Sequence, residues 1–187
     1  MALDYLKGPS IWSYSFQIDK IISFSISNSK KYDQSFKLDS FRININKENN
    51  YIFDNALSFL NKKDYHNTIK EINAIMVESD NILIQSQAEY MLAEIYLNDF
   101  SNYELSADQF HKIINTYPDT LNVVKKSYFT LAYIYSNYLD YYSNSIELYN
   151  QFLIKYPNDE LVESINYELE LLSKVNVTID SLLNINK

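Results

Sequence analysis

The chain of 187 residues contains no cysteine, one glycine, three prolines and two histidines. Without cysteine there is neither a disulfide framework nor a thiolate metal site. So little glycine and proline leaves few tight turns, which argues against an all-β sandwich and for helices joined by short polar loops. The two histidines, His66 and His111, show no paired spacing, and neither a glycine-rich phosphate loop nor a Ser-His-Asp arrangement occurs. The expectation is a non-enzymatic protein without catalytic residues, cofactor or metal. No stretch approaches about 18 consecutive apolar residues, so no membrane span is expected. No basic start followed by an apolar run and a small-residue cleavage site is legible near Met1.

What is abundant is apolar and aromatic surface. Hydrophobic residues make up 47% of the chain and include 18 tyrosines against one tryptophan, enough to bury a continuous core and too much for a disordered chain. The formal charge of −8 is unevenly placed: residues 1–49 carry seven Lys/Arg against five Asp/Glu, whereas residues 50–187 carry nine against nineteen. An acidic body repels phosphate backbones, which argues against nucleic acid as a partner, and it steers basic proteins or peptides toward itself.

One pattern is written twice at a constant spacing of 39 residues. Leu92-Ala93-x-Ile95-Tyr96 returns as Leu131-Ala132-x-Ile134-Tyr135, Tyr103 returns as Tyr142, and Tyr117-Pro118 returns as Tyr156-Pro157. An offset that holds through loops as well as helices marks a repeat architecture. Each copy reads as two helices. Ile84, Ala88, Leu92 and Ile95 form one apolar stripe; Tyr103, Ala107, Phe110, Ile114 and Tyr117 form the next, matched by Tyr142, Ile146, Tyr149, Leu153 and Tyr156. Ser101 and Glu104 have the spacing of a capping box for the second helix. Pro118 and Pro157 disfavour helical geometry at the tyrosines before them, so both second helices should stop there.

A degenerate earlier copy begins at Asn50, with one helix over residues 51–60, a second carrying Tyr65, Ile69, Ile72 and Met76, and a polar break at residues 78–81. After Pro157, Asn158 and Asp159 can cap a further helix carrying Leu161, Ile165, Leu169 and Leu172, with Glu163, Glu168 and Glu170 expected on its solvated face. The organisation expected is an arm over residues 1–49, repeats over about 50–81, 82–119 and 121–158, a capping helix over 159–172, and a tail over 173–187 that frays or forms a short helix around 179–183. The arm alternates with period two, through Trp12, Tyr14, Phe16 and Ile18 and again through Ile22, Phe24 and Ile26, which suggests half-buried strands or extended chain. Two or three strands cannot hide a hydrophobic face alone. The arm therefore packs on the chain's own helices or adds strands to a partner's sheet edge.

Ala88-x-Tyr90-x-Leu92-Ala93-x-x-Tyr96, followed by Tyr103-x-x-x-Ala107-x-x-Phe110 and Tyr117-Pro118, resembles the tetratricopeptide repeat. The Tyr-Pro ending and the longer period are most similar to two bacterial envelope groups. One is the outer-membrane assembly lipoprotein of the β-barrel assembly machinery, and the other is the periplasmic coordinator that joins cell-wall synthesis to the Tol–Pal system. The chain departs from the first in having no lipid-bearing cysteine, and from both in its alternating arm. The resemblance covers residues 50–172 and implies an all-α, TPR-like α-solenoid of helix-turn-helix repeats, acting as a protein-binding scaffold in the periplasm or cell envelope.

In the resembling repeats, side chains of the first helices that the apolar stripe does not use line a concave groove. By that alignment the groove residues are Gln87, Tyr90, Glu94, Leu97 and Asn98 in one repeat, and Lys126, Phe129, Tyr133, Ser136 and Asn137 in the next. Aromatic anchors among polar groups suit a partner peptide or helix. Two functions stay open: an adaptor that binds its partner in this groove, and a structural subunit of a larger complex anchored through residues 1–49.

Overall fold

The computed structural model describes the backbone of residues 50–184 and the side chains of residues 51–174; the strand-like arm expected over residues 1–49 lies outside them. The described residues are all-α, without a strand. The helices are α1 (Asn50–Asn61), α2 (Tyr65–Glu78), α3 (Ile82–Asn98), α4 (Tyr103–Thr116), α5 (Asn122–Asn137), α6 (Tyr142–Lys155) and α7 (Val162–Asn184). The helical core lies in one compact unit, which takes in residues 50–172.

Helix ends follow local chemistry. Asp64 caps α2 by accepting from the Asn67 N–H at 3.3 Å, and Asn81 caps α3 by accepting from Leu83 and Ile84 at 2.9 and 3.4 Å. At α4 the cap is Asn102, which accepts from the Leu105 N–H at 3.1 Å, and not the expected Ser101. Ser101 instead adopts a left-handed φ of 50°, as do Lys63 at 58° and Asp140 at 57°. All three lie in the turn that precedes the second helix of a pair. A left-handed residue there reverses the chain in few residues, at a modest steric cost for a non-glycine, and the capping role passes to its neighbour.

Tyr117 (φ −105°, ψ 153°) and Tyr156 (φ −131°, ψ 57°) leave helical geometry ahead of the two prolines, ending α4 and α6 as expected. Asp159 accepts from the Leu161 N–H at 3.1 Å at the start of the last helix. That helix runs unbroken from Val162 to Asn184, because no glycine or proline interrupts it, so neither an end near residue 172 nor a separate short helix over 179–183 is found.

Each helix from α1 to α5 packs against the next in sequence, and α3 also meets α5. Connectors this short make neighbouring helices antiparallel. The buried stripes meet between them: Phe53, Ala56, Ile72, Ile84, Ala88 and Leu92 form one continuous cluster at the first pair and its neighbour. Farther along, the contacts themselves recur at the sequence spacing. Ala93 and Ala132 are both fully buried, as are Ser106 and Ser145. The turn bonds from Asn102 N to Tyr96 O and from Tyr141 N to Tyr135 O are both 2.8 Å. Tyr90 meets Phe110 at 5.3 Å between ring centroids, and the equivalent Phe129 meets Tyr149 at 5.7 Å, the same pair with the hydroxyl on the other partner. One packing unit is used twice.

Removing the ring from the centre of such a unit leaves a cavity that helices tied at both ends cannot close. Phe110→Ala is expected to destabilise the fold by about 3–5 kcal/mol, measured by urea unfolding, whereas Ile154→Ala, at a side chain 81% exposed, should change it by less than about 0.5 kcal/mol. Equal losses would contradict this assignment of the core.

Candidate functional site

The ten candidate groove residues occupy α3 and α5, but they do not form one open surface. Gln87, Tyr90 and Leu97 of α3 and Phe129 and Ser136 of α5 are buried. Glu94, Lys126, Tyr133 and Asn137 are half-buried, and Asn98 is exposed. The buried members serve packing: Tyr90 sits edge-on to Phe110, and Phe129 lies between Tyr149 and Tyr133, at 5.7 and 6.5 Å. Contact between α3 and α5 closes this side over them. The accessible portion of the face is therefore Glu94, Asn98, Lys126, Tyr133 and Asn137. The Asn137 amide is partly spent locally, donating to the Tyr133 carbonyl at 3.1 Å and to the Ser136 hydroxyl at 2.9 Å.

The interior of this face is polar. The hydroxyls of Tyr90, Thr130 and Tyr149 and the amide oxygen of Gln87 are buried without a hydrogen bond of good geometry. Burial, followed by the nearby Glu94 carboxylate, holds the Tyr90 phenol far above its ordinary range, and the adjacent Thr130 hydroxyl tempers the effect. Burial, with smaller contributions from Tyr138 and Glu168, pushes the Tyr133 phenol up to about 12. Tyr149 is raised in the same direction, first by burial and then by Glu168 and Tyr133.

Glu168 of α7 thus belongs to this face and not to the solvated side expected for it. Burial raises its carboxyl to about 7. Glu163 and Glu170 are exposed, as expected. The placement follows from spacing: Glu168 lies three residues after Ile165 and four before Leu172, both buried, and so shares their side of the helix. That spacing was present in the sequence, hidden by the polar residue type.

What the arrangement offers is a set of carboxylate and phenol oxygens around aromatic rings. His66 and His111 are exposed, and the His111 ring lies 3.0 Å from the Asn115 amide. Among the described residues no cluster of His, Asp and Glu is placed to hold a metal ion, and no helix is long and apolar enough to cross a membrane. No protein-family model matches the chain, and no curated protein is significantly similar to it.

The Glu168 carboxyl gives the fold a pH dependence of definite sign. An unfolded glutamate ionises near 4.5, the folded one near 7, so between these values the folded state retains a proton that the unfolded state has lost. Stability at this group is fully present below about pH 4.5, falls as pH rises toward about 7, and then levels off. Asp64, whose carboxyl its Asn67 hydrogen bonds lower, contributes the opposite slope, at pH below the ordinary carboxylate range. Urea midpoints measured at about pH 5 and about pH 8 should therefore differ less in Glu168→Gln than in the unaltered protein. An unchanged difference would remove Glu168 from this environment.

Proposed function

We propose that the chain is a non-enzymatic interaction scaffold, a short α-solenoid of tetratricopeptide-like repeats that receives a partner peptide or helix on the face of α3 and α5, as an adaptor in a bacterial envelope assembly. The observation that supports it is the recurrence of packing at the 39-residue spacing, from Ala93 and Ala132 to the two aromatic pairs. Units of this kind stack into a rigid surface whose side chains are ordered before a partner arrives, so little entropy is lost on the scaffold's side. Tyr133 is the ring on this face that keeps partial access to solvent, which makes it the natural anchor. The envelope assignment rests on the resemblance of the Tyr-Pro repeats.

Photo-crosslinking residues placed at Asn98, Lys126 or Asn137 should capture a discrete partner in cells, whereas one at the outward Ile154 should not, and Tyr133→Ala should weaken capture about tenfold or more. If capture instead survives Tyr133→Ala unchanged but is lost on deleting residues 1–49 while the helical circular dichroism persists, the arm-anchored subunit is the correct reading. Cell fractionation checks the compartment, with recovery in the periplasmic or membrane fraction expected.

A further inference from the structure

The turns inside the helix pairs, residues 62–64, 99–102 and 138–141, share one edge of the helical stack, because connectors between successive antiparallel helices alternate between its two edges. Aromatic rings bridge these turns from each to the next. Tyr65, the first residue of α2, meets Phe100 of the following turn at 5.0 Å, edge to face. Tyr103, the first residue of α4, stacks on Tyr138 of the turn after that, at 4.1 Å and 10° between planes. The outer members, Phe100 and Tyr138, are 43% and 38% exposed, and Tyr141 of the third turn, edge-on to Tyr135 at 5.7 Å, is 54% exposed. Rings this accessible contribute only part of their surface to the core.

Charge on the same edge has one sign at the second and third turns. Lys62 and Lys63 occupy the first turn, but residues 71–110 and 127–154 contain no lysine or arginine. Asp99, Glu104 and Asp140 are exposed there. Asp99 accepts from the Tyr65 hydroxyl at 3.1 Å and Asp140 from the Tyr142 hydroxyl at 2.7 Å, each through Oδ1 alone. Three lysines toward the opposite edge are matched within the chain: Lys112 pairs with Glu89, Lys125 with Asp159 at 3.0 Å, and Lys155 with Asp119 at 3.0 Å. Among the described residues, no lysine forms an ion pair with Asp99, Glu104 or Asp140.

We propose that this turn edge is a second docking surface, adjoining the α3–α5 face where Tyr138 meets Tyr133 at 6.1 Å, and that it receives an arginine-rich segment of a partner protein, with guanidinium groups packed against the exposed parts of Phe100, Tyr138 and Tyr141 and paired with Asp99 and Asp140. Partly exposed aromatic rings beside carboxylates are the complement of a planar cation, which can pack on a ring and donate paired hydrogen bonds at once. A lysine offers only a point charge, and a phosphorylated or nucleic-acid ligand is repelled.

Full-length protein titrated with a fluorescein-labelled peptide of alternating arginine and serine tests this, beside lysine-serine and glutamate-serine peptides of equal length. Saturable binding is expected for the arginine peptide, weaker binding for the lysine peptide and none for the glutamate peptide. Asp99→Asn with Asp140→Asn should weaken the arginine peptide about tenfold, and Tyr141→Ser should also weaken it. Asparagine tolerates the left-handed geometry at position 140, so circular dichroism should be unchanged. Removing the same charge elsewhere, by Asp54→Asn with Glu160→Gln, should leave affinity unchanged. The proposal is overturned if the arginine peptide does not bind, if the control pair weakens it equally, or if arginine and lysine peptides bind alike and Tyr141→Ser has no effect. It is also overturned if sedimentation shows self-association that Asp99→Asn with Asp140→Asn abolishes, since a second copy then occupies the edge.

Discussion

Close approach between the helices of a pair is the constraint from which the rest follows. Ser106 of α4 donates to the backbone carbonyl of Ala93 at 3.0 Å, which brings one helix onto the main chain of the other. Any side chain larger than alanine at position 93 or 132 would stand in that space, since interiors packed to this density have no slack for added methylenes. The second copy shows what is obligatory and what is not. Ser145 is buried at the place equivalent to Ser106, yet the Ala132 carbonyl is taken by the Ser136 hydroxyl at 3.2 Å. The close contact is kept while the hydrogen bond that decorates it varies.

With the pairs held so tightly, tyrosine becomes the residue that ties the Tyr-Pro end of each second helix to the first helix of its pair or to the loop before it. Its ring fills the space between helices and its hydroxyl reaches a polar group at the margin. Tyr117 donates to the buried Glu89 at 2.9 Å, which also pairs with Lys112. Tyr156 donates to the Asp119 carbonyl at 2.9 Å, and Lys155 donates to the Tyr128 hydroxyl at 2.7 Å. These contacts use Lys112, Lys125 and Lys155 on the Tyr-Pro edge, while among the described residues no lysine pairs with Asp99 or Asp140 on the other edge. The difference follows from how the helices of a pair are tied together, and it gives two surfaces of different chemistry: an inner face of half-buried phenols and acids, and an edge of exposed aromatic rings and carboxylates.

Where reading along the chain misjudged a residue, residue type or local pattern was weighed against a constraint it did not govern. Gln87, Tyr90, Leu97, Phe129 and Ser136 lie off the apolar stripes, and so read as open surface, but α3 meets α5 and encloses them. Glu168 was placed on the solvated side by its charge, although its spacing from Ile165 and Leu172 sets it on the buried one. Ser101 had the composition of a cap and was displaced by the need for a left-handed residue at the turn. For Ser101 and the enclosed residues of α3 and α5 a local preference yielded to a neighbour or to a geometric demand that the local pattern did not contain, whereas for Glu168 the helical spacing held and residue type misled.

The amino-acid order alone determined the all-helical class of the described residues, the recurrence at 39 residues, the stripes that became the core, and the Tyr-Pro ends of α4 and α6. These depend on helical periodicity and on the steric effect of proline, which act within a few residues of chain. The tertiary structure alone decided which flank of α3 and α5 remains open, that Glu168 comes near Tyr133 and Tyr149, and that Tyr65 meets Phe100 and Tyr103 meets Tyr138 along one edge. Those outcomes depend on contacts between helices many residues apart, and a pattern with a period of about 3.6 residues carries no information about which distant helix will lie against it.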